Sequence, residues 1–247
     1  MKIWVVSCCY NEAQMLPFYL RHYSVFADEI VVYDDDSDDG SIEILKAHPK
    51  VTLRKCPFSG LDDTEMMKLW NREVKDATGE CDWLMVPDID EILYAPAGMV
   101  ETLERFKDYD VIRSVAANMT GEGLPKDDGR QIWEISPAGV RAPVYAKSII
   151  VKPSTEMKWS VGRHVVETCS GKVTEYDTDA VKLFHYRYLG FDYTKARNAR
   201  NYSRVGRNKG AAWSNHPDYR GEHSAEWAII AKGVSFNVVE CPFAVLR

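Results

Sequence analysis

The 247-residue chain lacks any run of about twenty apolar residues, which excludes a membrane-spanning helix while leaving association with a membrane surface open. The apolar stretch that follows Lys2 is short, has no small-residue cleavage site and runs directly into Asn11 and Glu12. A secretory leader has a longer apolar region followed by such a cleavage site. We therefore predict that this stretch forms a buried strand rather than an export signal.

The sequence also lacks paired cysteines. The spacing CxxC does not occur, and the scattered thiols fit a reducing cytosol better than a disulfide framework or a zinc site. We expect a cytoplasmic protein, with peripheral contact at the inner membrane surface left open. The six cysteines are Cys8, Cys9, Cys56, Cys81, Cys169 and Cys241.

An excess of positive charge is absent as well. The chain has 31 Lys and Arg residues against 37 Asp and Glu residues, so its formal net charge of -6 supplies no overall field that would recruit nucleic acid or anionic lipid. A GxGxxG segment is also missing, which speaks against a dinucleotide-dependent oxidoreductase. An acidic protein of this kind must neutralise an anionic ligand locally.

Residues 1–90 do contain a clear alternation of strand and helix patterns. The order βαβαβαβ predicts an α/β fold with a mainly parallel, Rossmann-like sheet flanked by helices. In such sheets ligands bind at the carboxyl ends of the strands. The predicted strands are residues 3–8, 29–33, 51–56 and 83–86, and the predicted helices are residues 15–26, 41–47 and 64–77.

The pattern is looser after residue 100. No internal repeat or linker is visible, so we expect one domain over residues 1–247 with a variable second half. We predict helices over residues 100–106 and 193–205, strands over residues 111–116, 148–151 and 180–184, and a polar loop over residues 121–130.

An acidic motif follows the fourth predicted strand, where the sequence reads Trp-Leu-Met-Val-Pro-Asp-Ile-Asp-Glu from residue 83 to residue 91. Asp88 and Asp90 project the same way if the extended conformation continues past the strand. Two such carboxylates suit Mg²⁺ or Mn²⁺. Taken alone, a motif of this kind more often marks a strand that simply ends in a turn.

A second acidic segment follows the second predicted strand, over residues 34–41. Its spacing resembles a calcium-binding loop counted from Asp35, but the twelfth position is Lys46, where that loop needs a bidentate Glu. We therefore reject that interpretation. We expect a Ser or Asp of residues 38–41 to cap the following helix, and a carboxylate in this segment would also suit a ribose or a nucleobase.

These segments together resemble the nucleotide-sugar-dependent glycosyltransferases of the GT-A fold, close to the family-2-like group. The resemblance covers residues 1–190, and it depends on the order of the segments more than on any one of them. The segments are Asn11-Glu12, Asp34 to Ser41, Asn71-Arg72, Asp88 to Glu91, and the late stretch Phe184-His185-Tyr186-Arg187-Tyr188.

The resemblance implies a nucleotide-sugar-binding half over residues 1–100 and an acceptor-binding half with C-terminal helices over residues 101–247. A divalent cation, Mn²⁺ or Mg²⁺, would stabilise the charge that develops on the leaving diphosphate. The implied donor contacts are Cys8, Cys9, Asn11, Glu12, Asp34, Asp35, Arg72 and Asp88, and the implied metal ligands are Asp88, Asp90 and His185.

The sequence leaves the catalytic base and the stereochemistry open. An inverting transfer needs a base within hydrogen-bond reach of the acceptor hydroxyl, whereas a retaining one can lack it. The candidates are Glu91, Glu134 and Glu167, the last of which follows the segment Gly162-Arg163-His164 that resembles an acceptor-side stretch. Each of these carboxylates could equally have a structural or solvated role.

The second half offers aromatic and basic residues for the acceptor. Tryptophan faces suit sugar rings or bases, although most tryptophans are packing residues. A stripe of arginines on the last predicted helix could bind the donor diphosphate, a phosphorylated acceptor, a membrane or nucleic acid. The tryptophans are Trp133, Trp159, Trp213 and Trp227, and the stripe is Arg197, Arg200, Arg204 and Arg207.

The leading hypothesis is a metal-dependent glycosyltransferase that moves a hexose-like unit from a nucleoside diphosphate sugar, with UDP favoured, to a glycan or lipid-linked glycan. One alternative is a catalytically silent carbohydrate- or nucleic-acid-binding module of the same fold. Another is a glycosyltransferase that acts on modified DNA bases, which phosphate contacts would make sensitive to salt. A nucleotidyltransferase is disfavoured, since no Gly-rich phosphate loop follows the first strand.

Overall fold

The computed structural model describes residues 1–174, 180–205 and 236–239. Its N-terminal part alternates strands and helices as predicted. Four strands run parallel in the order β3-β2-β1-β4, which confirms the α/β architecture. The bounds are β1 (Ile3–Cys9), α1 (Leu16–Tyr23), β2 (Glu29–Asp34), α2 (Ser41–Ala47), β3 (Val51–Lys55), α3 (Asp63–Asp76) and β4 (Trp83–Met85).

The remaining strands complete this sheet, build a second one, and form a separate antiparallel pair, β10 with β11. Two short antiparallel strands extend the first sheet to the order β3-β2-β1-β4-β9-β6, and the second, mixed sheet has the order β13-β8-β7-β12-β5. The bounds are β5 (Glu91–Tyr94), α4 (Met99–Arg105), β6 (Val111–Ile112), β7 (Val115–Thr120), α5 (Ile132–Ile135), β8 (Ala138–Arg141), β9 (Ile150–Val151), β10 (Met157–Trp159), β11 (Val166–Cys169), β12 (Lys182–Tyr188), α6 (Phe191–Val205) and β13 (Phe236–Asn237).

The single strand predicted over residues 111–116 is in fact two strands in different sheets. β6 belongs to the first sheet, and β7 belongs to the second. Arg113 and Ser114 carry the chain between them, and the Ser114 N–H donates to the carbonyl of Lys147 at 2.9 Å. All six residues are buried, so their apolar pattern could not reveal the crossing.

The helices show how local chemistry fixes element ends. Asp62 caps α3, because its carboxylate accepts from the backbone N–H groups of Thr64 at 2.9 Å and Glu65 at 3.1 Å. Helix α1 is shorter than the predicted span 15–26. Among the helices of the described residues, none has the length and hydrophobicity that crossing a membrane would require.

His22 joins α1 to β5 of the second sheet and makes the stability of the protein depend on pH. Its Nε2 lies 3.0 Å from the carbonyl oxygen of Leu93 in β5, and the rings of Tyr23, Phe26 and Trp133 surround it with centroid distances of 4.6, 5.4 and 5.0 Å. Burial lowers the pKa of His22 to about 4. Between pH 6.5 and 4, His22 therefore binds a proton more readily in the unfolded chain than in the folded protein.

We accordingly expect the free energy of unfolding to fall with decreasing pH in that window, with His22 contributing a loss of about 2 kcal/mol between pH 7 and pH 5. Urea unfolding at both pH values would measure it for the wild-type protein and for His22→Gln. The variant should lose less stability than the wild type over this interval. An equal loss in both proteins would contradict the assignment.

Candidate functional site

A cavity opens where the carboxyl ends of β1 and β4 meet, as the parallel sheet predicts. Its walls come from both sheets, from the loop before β11 and from α6. Seven of the residues predicted from sequence line it: Cys8, Cys9, Glu12, Asp88, Asp90, Glu91 and His185.

Asp88 lies between two cations that the sequence did not identify. Arg163 Nη2 is 2.7 Å from Asp88 Oδ1, and Lys147 Nζ is 2.8 Å from Asp88 Oδ2. Desolvation by the cavity walls alone would raise the pKa of Asp88, but Arg163 and Lys147 outweigh it and hold that pKa well below its usual value. Asp88 is therefore ionised and its charge is already balanced.

Glu91 is tied to the same lysine. Lys147 Nζ is 2.5 Å from Glu91 Oε1, and Glu91 Oε2 accepts from the backbone N–H of Asp88 at 3.0 Å. Both Lys147 and Glu91 are buried. Glu91 thus holds the Asp88 loop in place, a role that the sequence had left open beside that of a base.

Asp90 and His185 form a second charged pair in the cavity. In the antiparallel pairing of β12 with β5, His185 stands opposite Glu91, and this brings its ring to the neighbouring Asp90. His185 Nε2 lies 3.2 Å from Asp90 Oδ2, and Arg197 Nη2 approaches the same oxygen to 2.9 Å. Burial would raise the pKa of Asp90, but Arg197 and His185 together hold it well below its usual value.

This pair has donors that suit a divalent cation. His185 Nδ1 lies 3.0 Å from the amide oxygen of Asn118, which only accepts, so Nδ1 carries a hydrogen. With a cation bound, Nε2 would present its lone pair to the ion beside a carboxylate oxygen 3.2 Å away, which is close to the spacing of about 3 Å between adjacent ligands in an octahedral Mg²⁺ site. The residues present therefore fit a divalent cation at two ligand positions.

Asp88 does not join this pair. The chain turns after Asp88, since the Glu91 N–H donates to the Asp88 carbonyl at 3.0 Å, so the extended conformation assumed from sequence ends there. Asp88 and Asp90 consequently reach different partners. Over the described ranges, no group of three or more His, Cys, Asp or Glu side chains is arranged to hold one metal ion.

Two of the predicted donor contacts, Asp34 and Asn11, instead stabilise the loop after β2. Asp34 accepts from the backbone N–H of Ser37 at 2.9 Å and from its hydroxyl at 2.6 Å. Asn11, at a φ of 54°, exchanges side-chain and backbone hydrogen bonds of 2.7 and 2.8 Å with Asp38. Asp35 instead accepts from the Gly60 N–H at 2.8 Å, beside the cavity.

Two arginines of the predicted stripe on α6, Arg197 and Arg204, line this cavity, and Arg200 lines a second pocket that shares Glu12 with it. Arg200 Nη2 is 2.6 Å from Glu12 Oε1, and Arg204 contacts the carboxylate of Asp35 while its guanidinium lies 3.9 Å from the ring centroid of Tyr10. Together with Arg197 on Asp90, every arginine of the stripe that the structure describes pairs with a carboxylate of the N-terminal half.

The remaining predicted site residues lie elsewhere. Arg72 is exposed on α3, outside the cavity lining. Glu134 is exposed and accepts from the Gln131 N–H at 2.8 Å as part of a capping box. Glu167 is exposed on β11 and pairs with Lys158 at 2.9 Å.

The predicted aromatic and thiol residues have packing roles where they are described. Trp159 is buried and donates to the Ser148 carbonyl at 2.7 Å, while Trp133 packs on His22. Burial raises the pKa of Cys8, and that of Cys9 to about 12, so both thiols stay protonated. Arg207, Trp213, Trp227 and Cys241 lie outside the described residues.

The loop over residues 160–165 supplies cavity residues that the sequence did not assign. Gly162 and Arg163 have φ values of 76° and 62°, a left-handed conformation that is unusual for arginine. The only hint in the sequence was that Gly162-Arg163-His164 resembles an acceptor-side stretch. The cavity residues not assigned from sequence include Tyr145, Lys147, Arg163 and His164.

A family model described as Glycosyl transferase family 2 matches residues 4–138. No curated protein matches the chain with significance. Glucosyl-3-phosphoglycerate synthase from Mycobacterium tuberculosis, crystallised with Mn²⁺, UDP and glucosyl-3-phosphoglycerate, is 19% identical over 47% of this chain and 44% of that one, with a TM-score of 0.35. Mannosyl-3-phosphoglycerate synthase from Rubrobacter xylanophilus is 14% identical over 88% and 79%, with a TM-score of 0.39. This chain thus spans less than half of the mycobacterial enzyme, and neither superposition is close enough to transfer a residue's role.

Proposed function

Since the chain belongs to glycosyl transferase family 2, we propose that it transfers a hexose-like unit from a nucleoside diphosphate sugar, with UDP favoured, to a hydroxyl group of a glycan or lipid-linked glycan. The observation that carries this proposal is the pairing of Asp90 with His185, whose facing atoms are 3.2 Å apart at the carboxyl edge of the parallel strands. The five described cysteines are free thiols, which supports a cytosolic location.

Asp90 and His185 would hold Mn²⁺ or Mg²⁺ together with the donor. A bound divalent cation supplies positive charge next to the leaving diphosphate. Arg197 already touches Asp90 Oδ2 and lies 3.5 Å from Glu12 Oε1, so it can turn from these carboxylates to a phosphate oxygen. An acidic chain would in this way bind an anionic donor.

The nucleoside would lie against the β1 and β2 ends. Tyr10 offers a flat ring, and Asp35 offers a carboxylate that suits a ribose or base, while Asp34 and Asn11 fix the loop that presents it. In the reaction the acceptor oxygen bonds to the anomeric carbon as the bond from that carbon to the diphosphate breaks. The diphosphate leaves with the bonding electron pair.

The two alternatives have different support. A DNA-modifying enzyme would need arginines that face outward, whereas Arg197, Arg200 and Arg204 pair with carboxylates around the cavity. A silent binding module would bind nucleotide without turnover. Thermal shift with UDP, GDP, CDP and TDP sugars, with Mn²⁺ or EDTA, followed by measurement of nucleoside diphosphate release, separates this module from an enzyme. Stabilisation without release by any sugar would overturn the proposed transfer.

Replacing Asp35 by asparagine should weaken UDP binding about tenfold, because a charge-assisted hydrogen bond becomes a neutral one. Calorimetry with UDP and Mn²⁺ would measure the change. Asp36→Asn is the matched control, since Asp36 is exposed and pairs with Lys55 at 2.5 Å, away from the cavity. Equal affinity of both variants would remove Asp35 from the nucleoside site.

A further inference from the structure

Among the described residues, the carboxylates that line the cavity are those of Glu12, Asp63, Asp88, Asp90 and Glu91. Glu134 and Glu167 lie outside its lining, and Glu91 is buried against Lys147. Glu12, Asp88 and Asp90 each have a cation within 3 Å, and Asp63 is the first residue of α3. A carboxylate that is held by a cation is a weaker base, so an uncharged group of the lining is the better candidate.

We propose that His164 is the general base that takes the proton from the acceptor hydroxyl, an inference that rests on the proposed sugar transfer. His164 lines the cavity, and its Nδ1 lies 3.2 Å from the carbonyl oxygen of Ala146. A carbonyl only accepts, so Nδ1 carries the hydrogen and Nε2 has a free lone pair. In the described part of the chain, Nε2 has no hydrogen-bond partner.

The surroundings keep the imidazole neutral. Burial, Lys147 and Arg163 lower the pKa of His164 to about 4, against an opposing effect of Asp88. A base with a pKa near that of a carboxylate is unprotonated at neutral pH and ready to accept.

The absence of a side chain at Gly162 leaves space for the His164 ring. A Cβ on Gly162 would lie 2.8 Å from both Cδ2 and Nε2 of His164, so only glycine leaves room for the imidazole in this position. Gly162 itself lines the cavity, which places Nε2 beside the cavity wall.

Tyr145 relates His164 to the donor end. The Tyr145 ring neighbours both histidines, with centroid distances of 6.2 Å to His164 and 5.3 Å to His185. An acceptor sugar resting on this ring would have the Asp90–His185 end on one side and a free imidazole nitrogen on the other. As its oxygen bonds to the anomeric carbon, its proton passes to His164 Nε2 and the nucleoside diphosphate departs with the electron pair.

The test uses hydrolysis of the donor, with water as the acceptor, so that the natural acceptor is not required. The probe is whichever of UDP-glucose, UDP-N-acetylglucosamine or GDP-mannose the wild-type protein hydrolyses fastest. His164→Ala should lower kcat about 100-fold while the affinity for the nucleoside diphosphate stays within twofold. Added imidazole should restore part of the rate to His164→Ala, more at pH 8 than at pH 6, because only unprotonated imidazole can act as the base.

His48→Ala is the matched control, since His48 lies at the end of α2 outside the cavity, and its rate should match the wild type without responding to imidazole. His164→Gln, which keeps a donor for the Ala146 carbonyl, separates loss of the base from loss of folding. A decrease below fivefold in His164→Ala, or a large decrease that imidazole does not relieve, would overturn the assignment. Absence of hydrolysis by the wild-type protein would instead overturn the proposed transfer itself.

Discussion

Replacing Asp90 by alanine should lower donor turnover about 1000-fold, which corresponds to about 4 kcal/mol of lost transition-state stabilisation. The change removes the carboxylate that faces His185, and it also leaves the Arg197 guanidinium without its 2.9 Å contact to Asp90. The rate would be measured as nucleoside diphosphate release in Mn²⁺ and in EDTA. The variant in Mn²⁺ should be as slow as the wild type in EDTA.

Asp76→Ala is the control for this experiment, because Asp76 ends α3 at the exposed surface. It should retain the wild-type rate and the wild-type response to EDTA. If wild type and Asp90→Ala had equal rates in both solutions, Asp90 would have no role in handling the leaving diphosphate.

The positions of Asp90 and Asp35 show which parts of the site a sequence can predict. Each follows a strand of a parallel sheet, and the carboxyl ends of such strands meet at one edge, so a local pattern sufficed to place both near the cavity. His185 was found by resemblance, and its pairing opposite Glu91 explains why it reaches Asp90.

The cations of the cavity could not be predicted in this way. Lys147 and Arg163 are 59 and 75 residues from Asp88 in sequence. Lys147 precedes the short strand β9, and Arg163 lies between the short strands β10 and β11, and none of these strands has a strong periodicity. Their roles arise only when the segments that carry them fold against the loop between β4 and β5. The arginines of α6 were visible as a stripe, but a stripe does not state which surface it faces.

Two of the three candidate bases are exposed at the surface in the structure, and the sequence could not show this for a related reason. Glu134 belongs to a helix cap, and Glu167 belongs to an exposed ion pair. The sequence around each residue does not distinguish these structural roles from that of a catalytic carboxylate. The same limit explains the divided strand over residues 111–116, where a continuous apolar run serves two sheets.

Replacing Lys147 by methionine should destabilise the protein by about 3–5 kcal/mol, because it leaves the buried carboxylate of Glu91 without a counter-charge. Methionine nearly fills the space of the lysine stem, so the loss is electrostatic rather than a cavity. Asp88 retains Arg163 at 2.7 Å, and the uncompensated charge is therefore that of Glu91. Thermal unfolding should show a decrease in Tm of about 10 °C.

The double variant Lys147→Met with Glu91→Gln separates charge from packing. Glutamine can still accept from the Asp88 N–H, as Glu91 does at 3.0 Å, but it carries no charge to be balanced. The double variant should therefore recover most of the lost stability. Lys158→Met, which breaks the exposed pair with Glu167, should cost less than about 1 kcal/mol. Two results would contradict this role of Lys147: a loss of stability in Lys147→Met no larger than that in Lys158→Met, or no recovery of stability when Glu91→Gln is added. Lys147 would then not balance the charge of Glu91, and the fixed position of the Asp88 loop would need another cause.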